Sequence, residues 1–184
     1  MHRRNLSEAI ERYHLRYPQE IDAVQRFRNL LAEYPNCFDR TCWAGHITGS
    51  AWLLDASCKQ LLLTNHRKLK MWLQLGGHSD GDSNTSAVAY REAVEESGLT
   101  VALIREEIFD IDIHEIPAAK SDPAHFHFDV RYQFRAENMN FIVSEESLDL
   151  AWVPINDLES YTKETSILRM REKWYAENRK NFPK

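Results

Sequence analysis

The sequence predicts an α+β domain, in which strands lie on both sides of a central helix and further helices occupy both ends of the chain. Three observations support this fold class. Apolar residues recur at helical spacing near the N-terminus, and polar and apolar residues alternate in later segments. Between these two regions, a glycine pair precedes a short glutamate-rich helix. The length of 184 residues and the hydrophobic fraction of 43% suit one domain with a sizeable core.

Two helices are predicted within residues 1–34. The first contains apolar residues at helical spacing, Leu6, Ile10 and Tyr13. The second begins after Pro18, which fits the first turn of a helix. Its apolar stripe consists of Ile21, Val24, Phe27, Leu30, Leu31 and Tyr34. This stripe is expected to pack on the domain, and a homodimer contact is the alternative, because an exposed apolar face needs a partner.

Alternating and continuous apolar segments predict strands before and after the central helix. The helix itself is predicted over about residues 85–97, with Asn84 or a neighbour as the N-cap and Gly98 in the left-handed C-terminal position. The expected strands are 47–54, 60–66, 71–75, 108–116, 125–134 and 150–154, and the expected C-terminal helices are 155–158 and 167–180.

The central helix carries a cluster of like charges. Glu92, Glu95 and Glu96 stand at i, i+3 and i+4, so their carboxylates share one helical face. Charges packed this closely repel one another. A hard divalent cation, which prefers carboxylate oxygens as ligands, would offset the repulsion.

The segment from Gly77 to Leu99 reads Gly-x5-Ser-x7-Arg-Glu-Ala-x-Glu-Glu-x-Gly-Leu, which resembles the 23-position signature of the Nudix hydrolases. Seven of its nine specified positions match fully. Ala93 is a mild departure, and Ser83 stands where the family has glutamate. The resemblance covers about residues 40–160 and implies an α/β/α sandwich around a mixed sheet. Residues 1–36 are then an N-terminal helical extension, and residues 161–184 form a C-terminal helix of the same single domain.

The resemblance also implies roles for residues of the signature. Mg²⁺ or Mn²⁺ would be held by the three glutamates and by the carbonyl of Gly76. Gly77 and Gly98 would be structural, and Arg91 would brace the loop against the helix. Because a serine at position 83 carries no charge to pair with Arg91, we expect acids of the same loop to compensate, namely Asp80 or Asp82.

The general base of the family varies and often lies in the loop before the last strand. Glu145 and Glu146 occupy that loop here, so one of them is expected to act as a base or a further ligand, although they also fit solvated loop acids. A glutamate of the signature is the other candidate for the base.

Two strands present polar faces that form a second cluster. Asp112 and His114 alternate with isoleucines in one strand. In the next, the polar face consists of His125, His127, Asp129 and Arg131. His127 and Arg131 are candidate substrate residues, with Arg131 contacting phosphate, and a polar sheet face without a binding role is the alternative. Arg67 is a candidate for steering an anionic substrate or part of a solvated basic turn. His46, His66 and His78 have no role assigned from the sequence.

Taken with the resemblance, these residues predict a metal-dependent pyrophosphohydrolase whose partner is a small nucleoside diphosphate derivative. The alternative is a catalytically weakened, nucleotide-binding or regulatory domain, which Ser83 alone supports. An isopentenyl diphosphate isomerase is a further alternative, since that branch resembles the same scaffold. Its loop has a catalytic cysteine beside Gly-His, whereas no cysteine stands beside Gly76-Gly77-His78. An RNA 5′-end hydrolase would need a basic track, and the net charge is −5.

Composition restricts location and partners. We expect neither nucleic acid nor a membrane as a partner, because the chain is acidic and lacks an apolar run of spanning length. No signal-type stretch follows the basic N-terminus, so a cytoplasmic location is expected. Cys37, Cys42 and Cys58 are expected to be free thiols. Cys37 and Cys42 have the spacing of half a zinc site, but no second cysteine or histidine pair at ligand spacing completes it.

Overall fold

The computed structural model describes residues 2–119, 122–145 and 147–178. One eight-stranded mixed sheet forms the centre of the fold. Its strands are β1 (His46–Leu54), β2 (Gln60–His66), β3 (Trp72–Leu73), β4 (Leu75–His78), β5 (Val101–Leu103), β6 (Asp110–Ile116), β7 (His125–Ala136) and β8 (Ser147–Pro154). The helices are α1 (His2–Arg16), α2 (Ile21–Glu33), α3 (Thr85–Ser97), α4 (Leu158–Tyr161) and α5 (Thr165–Glu177), with short 3-10 turns at Pro18–Glu20 and Ile155–Asp157.

The middle of the sheet is the parallel pair of β1 and β7, and the other pairings are antiparallel. The strands run in the order β3-β2-β1-β7-β5. In addition, β4 pairs with β1, β6 pairs with β7 and β8 pairs with β2. The register of the central pair places His46 beside His127 and Ser50 beside Arg131.

Helices cover both faces of the sheet. On one face, α1, α2 and α3 bury a cluster that includes Ile10, Phe27, Ala89 and Val130. On the other face, α4 and α5 pack over Trp52 and the remaining members of a second cluster, among them Leu54, Leu61, Phe109, Ile167 and Trp174. The predicted α/β/α sandwich with a mixed sheet and extra terminal helices is therefore confirmed. None of the described helices has the length and apolar character needed to cross a bilayer.

The N-terminal stripe packs within the chain. Val24 and Phe27 of α2 are fully buried, and the Phe27 ring meets the edge of Phe128 at a centroid distance of 5.2 Å. Only the ends of the stripe, Ile21 and Tyr34, are exposed. Packing on the domain thus explains the stripe, and the homodimer stays a prediction.

The largest difference from the predicted elements concerns the glycine pair. Gly76, Gly77 and His78 belong to strand β4 and pair with β1, whereas the sequence indicated that the loop already begins at Gly77. The reason is that Gly76 and Gly77 let two neighbours approach closely, which a strand with side chains would prevent. A short strand at Val101–Leu103 was not predicted, because three residues carry no readable alternation.

Candidate functional site

The helix α3 places its glutamates against strand β4. The Glu96 side chain is buried, and its Oε1 accepts a hydrogen bond from the backbone N–H of Gly76 at 2.7 Å. Glu92 lies beside Gly77, and a Cβ built on that glycine would come within 2.5 Å of Glu92 Oε2. Glu95 shares this helical face and is exposed. Glu92 and Glu96 are therefore fixed beside β4, whereas Glu95 lies on the same helical face and is exposed.

The two glycines of β4 face opposite sides of the sheet. Gly77 faces α3, whereas Gly76 faces the side chain of Ser50 on β1. A Cβ on Gly76 would overlap Ser50 Oγ and lie 2.7 Å from Ser50 Cβ and 2.8 Å from the Gly49 carbonyl. Position 76 therefore requires glycine for space, which leaves its backbone free to contact Glu96.

Arg91 connects the helix to the end of β4. Its Nη2 donates to the His78 carbonyl at 2.7 Å and to Glu92 Oε1 at 2.9 Å. The hydrogen bond that Arg91 donates to Glu92 raises the pKa of the Arg91 guanidinium further above its usual value. These contacts are those of a structural brace. Gly98 ends α3 in the left-handed region with φ of 68°, and its N–H donates to the Val94 carbonyl.

The acids of the glycine loop contact groups other than Arg91. Asp80 forms a two-point ion pair with Arg40, with both N···O distances at 2.6 Å. Asp82 Oδ1 accepts from the backbone N–H of Asn84, which in turn caps α3. Ser83 lines a cavity of about 200 Å³ together with residues of α1 and with Tyr132. The hydrogen bond from Arg40, and with it the charge of Arg91, lowers the pKa of Asp80, so compensation by Asp80 or Asp82 stays a prediction.

Arg67 holds the loop that carries the candidate base. Its Nε donates to the Glu145 carbonyl and its Nη2 to the Ser147 carbonyl, both at 2.7 Å. The same loop reaches the C-terminal end of α3, where the Ile142 N–H donates to the Ser97 carbonyl at 2.7 Å. The loop of Glu145 is thus fixed beside the glutamate helix. Glu146 lies outside the described residues.

The polar face predicted for two strands exists, and β1 extends it. Asp129 stands at its centre and accepts from Thr48 Oγ1 at 2.9 Å, from Ser50 Oγ at 2.8 Å and from Arg131 Nε at 2.7 Å. Gln74 Nε2 lies 3.4 Å from Asp129 Oδ2. These contacts satisfy the buried carboxylate of Asp129, which is 1% exposed.

Arg131 is buried within a network of charges. Its guanidinium contacts Asp129, Asp110 and Asp112 at 2.7, 3.2 and 3.4 Å. Arg169 and Lys173 of α5 approach Asp110 from the other side, at 2.7 and 2.6 Å. Arg131 is 1% exposed, so its guanidinium is already committed to carboxylates. These contacts favour a structural role for Arg131 over the phosphate contact expected from the sequence.

Five imidazole rings occupy the opposite end of this face. His127 lies at their centre and is half-buried, with ring centroids of four other histidines within 5.4 Å. These four are His46, His78, His114 and His125. Burial, followed by the neighbouring histidines, lowers the pKa of His127 to about 2, and burial lowers that of His46 to about 4. His127 therefore stays neutral at physiological pH, and His46 and His78 join it although the sequence assigned them no role. In the sequence, the alternation that places His125 and His127 on one face of a strand indicated part of this cluster. The other three histidines join it through the pairing of the strands.

No family model and no curated protein matches the sequence. Solved structures do match it. A Nudix-family hydrolase from Clostridium perfringens is 27% identical, with a TM-score of 0.54 over 70% of this chain and 95% of that one. The MutT protein from Methanosarcina mazei Go1 is 18% identical, with a TM-score of 0.55 over 73% and 95%. The E. coli dihydroneopterin triphosphate pyrophosphohydrolase is 16% identical, with a TM-score of 0.52 over 71% and 95%.

The α/β/α sandwich of this chain is the fold of these solved Nudix and MutT hydrolases. The similarity to these hydrolases supports the Nudix assignment that the segment from Gly77 to Leu99 indicates.

We predict that Gly76→Ala destabilises the protein because the new methyl group overlaps Ser50. The expected loss is about 1–3 kcal/mol in the free energy of unfolding, the range for overpacking in a well-packed core. The matched experiment is a double-mutant cycle by urea denaturation with Ser50→Gly. A coupling of at least about 0.5 kcal/mol, with partial recovery in the double variant, is the expected result. Strict additivity of the two changes would contradict the overlap.

We predict that Arg131→Met lowers the free energy of unfolding at pH 7 by about 3–5 kcal/mol, because it leaves buried aspartates without their cation. The control is Arg169→Met, which removes a guanidinium that is 35% exposed and should cost less. Equal losses in the two variants, measured by urea denaturation, would contradict a central role for Arg131.

The same variant tests the pH dependence of stability. Burial alone would raise the pKa of Asp110, but the hydrogen bond from Arg169 and the charges of Arg131 and Lys173 hold it below its usual value. The unfolded chain therefore takes up protons first, below about pH 4, and stability falls as the solution is acidified. Arg131→Met should show a shallower acid dependence between pH 5 and pH 3, whereas unchanged slopes would contradict the linkage.

Proposed function

We propose that this chain is a divalent-metal-dependent hydrolase that cleaves a phosphoanhydride bond in a nucleoside diphosphate linked to a further group, releasing two phosphorylated products. The observation that carries the proposal is the glutamate face of α3 held against β4. Glu96 is fixed by the Gly76 N–H, and Glu92 is fixed by Arg91. A divalent cation would offset the repulsion between these carboxylates, because such ions prefer carboxylate oxygens as ligands.

The donor set fits Mg²⁺ or Mn²⁺. Glu92, Glu95 and Glu96 offer carboxylate oxygens, and the Gly76 carbonyl is the further ligand implied by the family resemblance. When bound, such an ion supplies neutralisation of the diphosphate charge and a template that orients it. The hydrogen bond from the Gly76 N–H to Glu96 Oε1 fixes this carboxylate beside β4.

Glu145 is the proposed general base, with Glu146 as the neighbouring candidate. A carboxylate in this position would take the proton from the attacking water. Two contacts support Glu145: Arg67 holds its carbonyl, and its loop bonds to Ser97 at the end of the glutamate helix. In this arrangement Arg67 positions the base, and a direct substrate contact by Arg67 is the competing role.

The structural neighbours support phosphoanhydride chemistry on this scaffold. The E. coli neighbour is by name a pyrophosphohydrolase of a triphosphate compound. A small nucleotide derivative is therefore the proposed partner of this chain. His127, a candidate substrate residue from the sequence, lies among four other imidazoles on the polar sheet face, and a substrate contact there stays a prediction.

A second candidate function is a nucleotide-binding domain with weakened catalysis. The observation that favours it is the loop: Ser83 lines a pocket together with residues of α1, and Asp80 and Asp82 contact Arg40 and Asn84. The retention of all three signature glutamates favours the enzyme. Turnover separates the two candidates.

We predict that Glu95→Gln lowers kcat/KM at least about 100-fold, because the variant keeps the shape of α3 but loses an exposed negative ligand. The assay incubates the full chain with Mg²⁺ or Mn²⁺ and nucleoside diphosphate sugars, ADP-ribose, dinucleoside polyphosphates and nucleoside triphosphates, and follows phosphate after phosphatase coupling. Glu33→Gln, an exposed glutamate of α2, is the matched control and should keep full activity. Folded wild-type protein that is silent with both metals would favour the binding domain.

We predict that Arg67→Met lowers kcat about tenfold and leaves KM nearly unchanged, because misplacement of a catalytic group slows the chemical step. The neighbouring exposed residue provides the control, Lys68→Met, which removes a positive charge of the same turn. Steady-state kinetics on the best substrate of the panel makes the measurement. An increase in KM with kcat unchanged would instead assign Arg67 to substrate binding.

A further inference from the structure

A histidine trio on the polar face has the arrangement of a metal site. His46, His125 and His127 each place one ligand nitrogen within 4.8 Å of the other two, and among the described residues this is the group of three that meets this distance. The pairwise ring-centroid distances are 4.8, 4.8 and 5.4 Å. Imidazole nitrogens around a tetrahedral zinc ion stand roughly 3.3 Å apart, so a shift of about 1 Å would close the trio on an ion.

Two nitrogens of the trio are buried without a hydrogen-bond partner. These are His46 Nε2 and His127 Nε2, and the His46 side chain is 1% exposed. A buried polar nitrogen without a partner costs free energy, and proteins rarely leave one in place without a reason. Both nitrogens belong to rings of the same trio, so one ion would satisfy them together.

Backbone carbonyls orient two of the rings. His46 Nδ1 lies 3.4 Å from the Cys42 carbonyl, and His125 Nδ1 lies 2.8 Å from the Pro123 carbonyl. A carbonyl oxygen only accepts, so the hydrogen resides on Nδ1 and the lone pair on Nε2. Metal-binding histidines are held in this same way, by donation from the other ring nitrogen.

The sheet separates the trio from the glutamates of α3. A Cβ on Gly49 would meet Thr85 and Val88, so the odd-numbered positions of this part of β1 face α3. His46, three residues away, therefore faces the opposite side. The donors also differ in kind, because carboxylates suit Mg²⁺ and imidazoles suit zinc and its neighbours in the first transition row.

We propose that His46, His125 and His127 form a second metal site, which takes a transition-metal ion of the Zn²⁺ class. The His78 ring contacts His46 and His127 at 5.1 and 5.0 Å and stands beside a fourth position. The cysteines have no part in it: Cys37 and Cys42 are free, and Cys42 contributes only its carbonyl to the orientation of His46. This site does not depend on the proposed hydrolase activity.

The test uses the metal-free full chain and Co²⁺ as a spectroscopic probe, with excess Mg²⁺ present to compete for the carboxylates. The expected result is one equivalent of Co²⁺ per chain, visible d–d bands of a low-coordinate site and an increase in Tm. X-ray absorption of the Zn²⁺-loaded protein should count three imidazole ligands. An all-oxygen environment, or no stoichiometric binding, would overturn the proposal.

Variants locate the ion. His46→Asn and His125→Asn should each weaken Co²⁺ binding by about tenfold or more and remove the increase in Tm. His14→Gln on α1 is the matched histidine control, and Glu95→Gln tests independence from the glutamate face; both should bind like the wild type. Unchanged affinity in folded His46→Asn and His125→Asn would overturn the assignment. Loss of binding in Glu95→Gln would place the ion on α3 and overturn it as well.

Discussion

The strands β1 and β7 run parallel and pair without a break, from His46 beside His127 to Leu54 beside Arg135. Parallel strands need a long crossover, and here the connection contains both α3 and the glycine strand β4. This one register decides which residues meet on each side of the sheet. Because side chains alternate along a strand, a slip by one residue would send the polar row into the apolar core. The positions of the histidines, of Asp129 and of the face beneath α3 all follow from this pairing.

The polar side of the pairing is costly to bury, and the chain offsets the cost in different ways along its length. At one end, Arg131 and the cations of α5 surround Asp110 and its neighbours, so that each buried charge has partners. In the middle, hydroxyl groups of β1 satisfy Asp129. At the other end, burial lowers the pKa of His46 and of His127, and Nε2 of each ring has no protein partner. From one end to the other, the polar face of the sheet thus changes from a network of paired charges to the imidazole nitrogens of the proposed metal site.

The sequence predicted the helix of the signature, its caps and most strands, because period, capping residues and a fixed spacing are local signals. It left open what depends on contacts between residues that are distant in the chain. Whether Gly76 belongs to a loop or a strand depends on Ser50, which only the pairing of β4 with β1 brings close. The alternation of polar and apolar residues made Arg131 a candidate for a phosphate contact. In the structure, aspartates from two strands surround its guanidinium, and α5 packs against them. The histidine cluster likewise forms only when β1, β4, β6 and β7 pair, because its members come from these four strands.

Strand β4 connects the two proposed ion sites while keeping them apart. Gly77 faces the glutamates of α3, and His78 follows it on the opposite side, among the imidazoles. Arg91 contacts both sides, because its guanidinium donates to the Glu92 carboxylate and to the backbone carbonyl of His78. Hard carboxylates and borderline imidazoles select different ions, so both sites can be filled without exchange between them. Any movement of His78 toward an ion in the imidazole site would therefore alter the Arg91 contact that holds Glu92 on the other side.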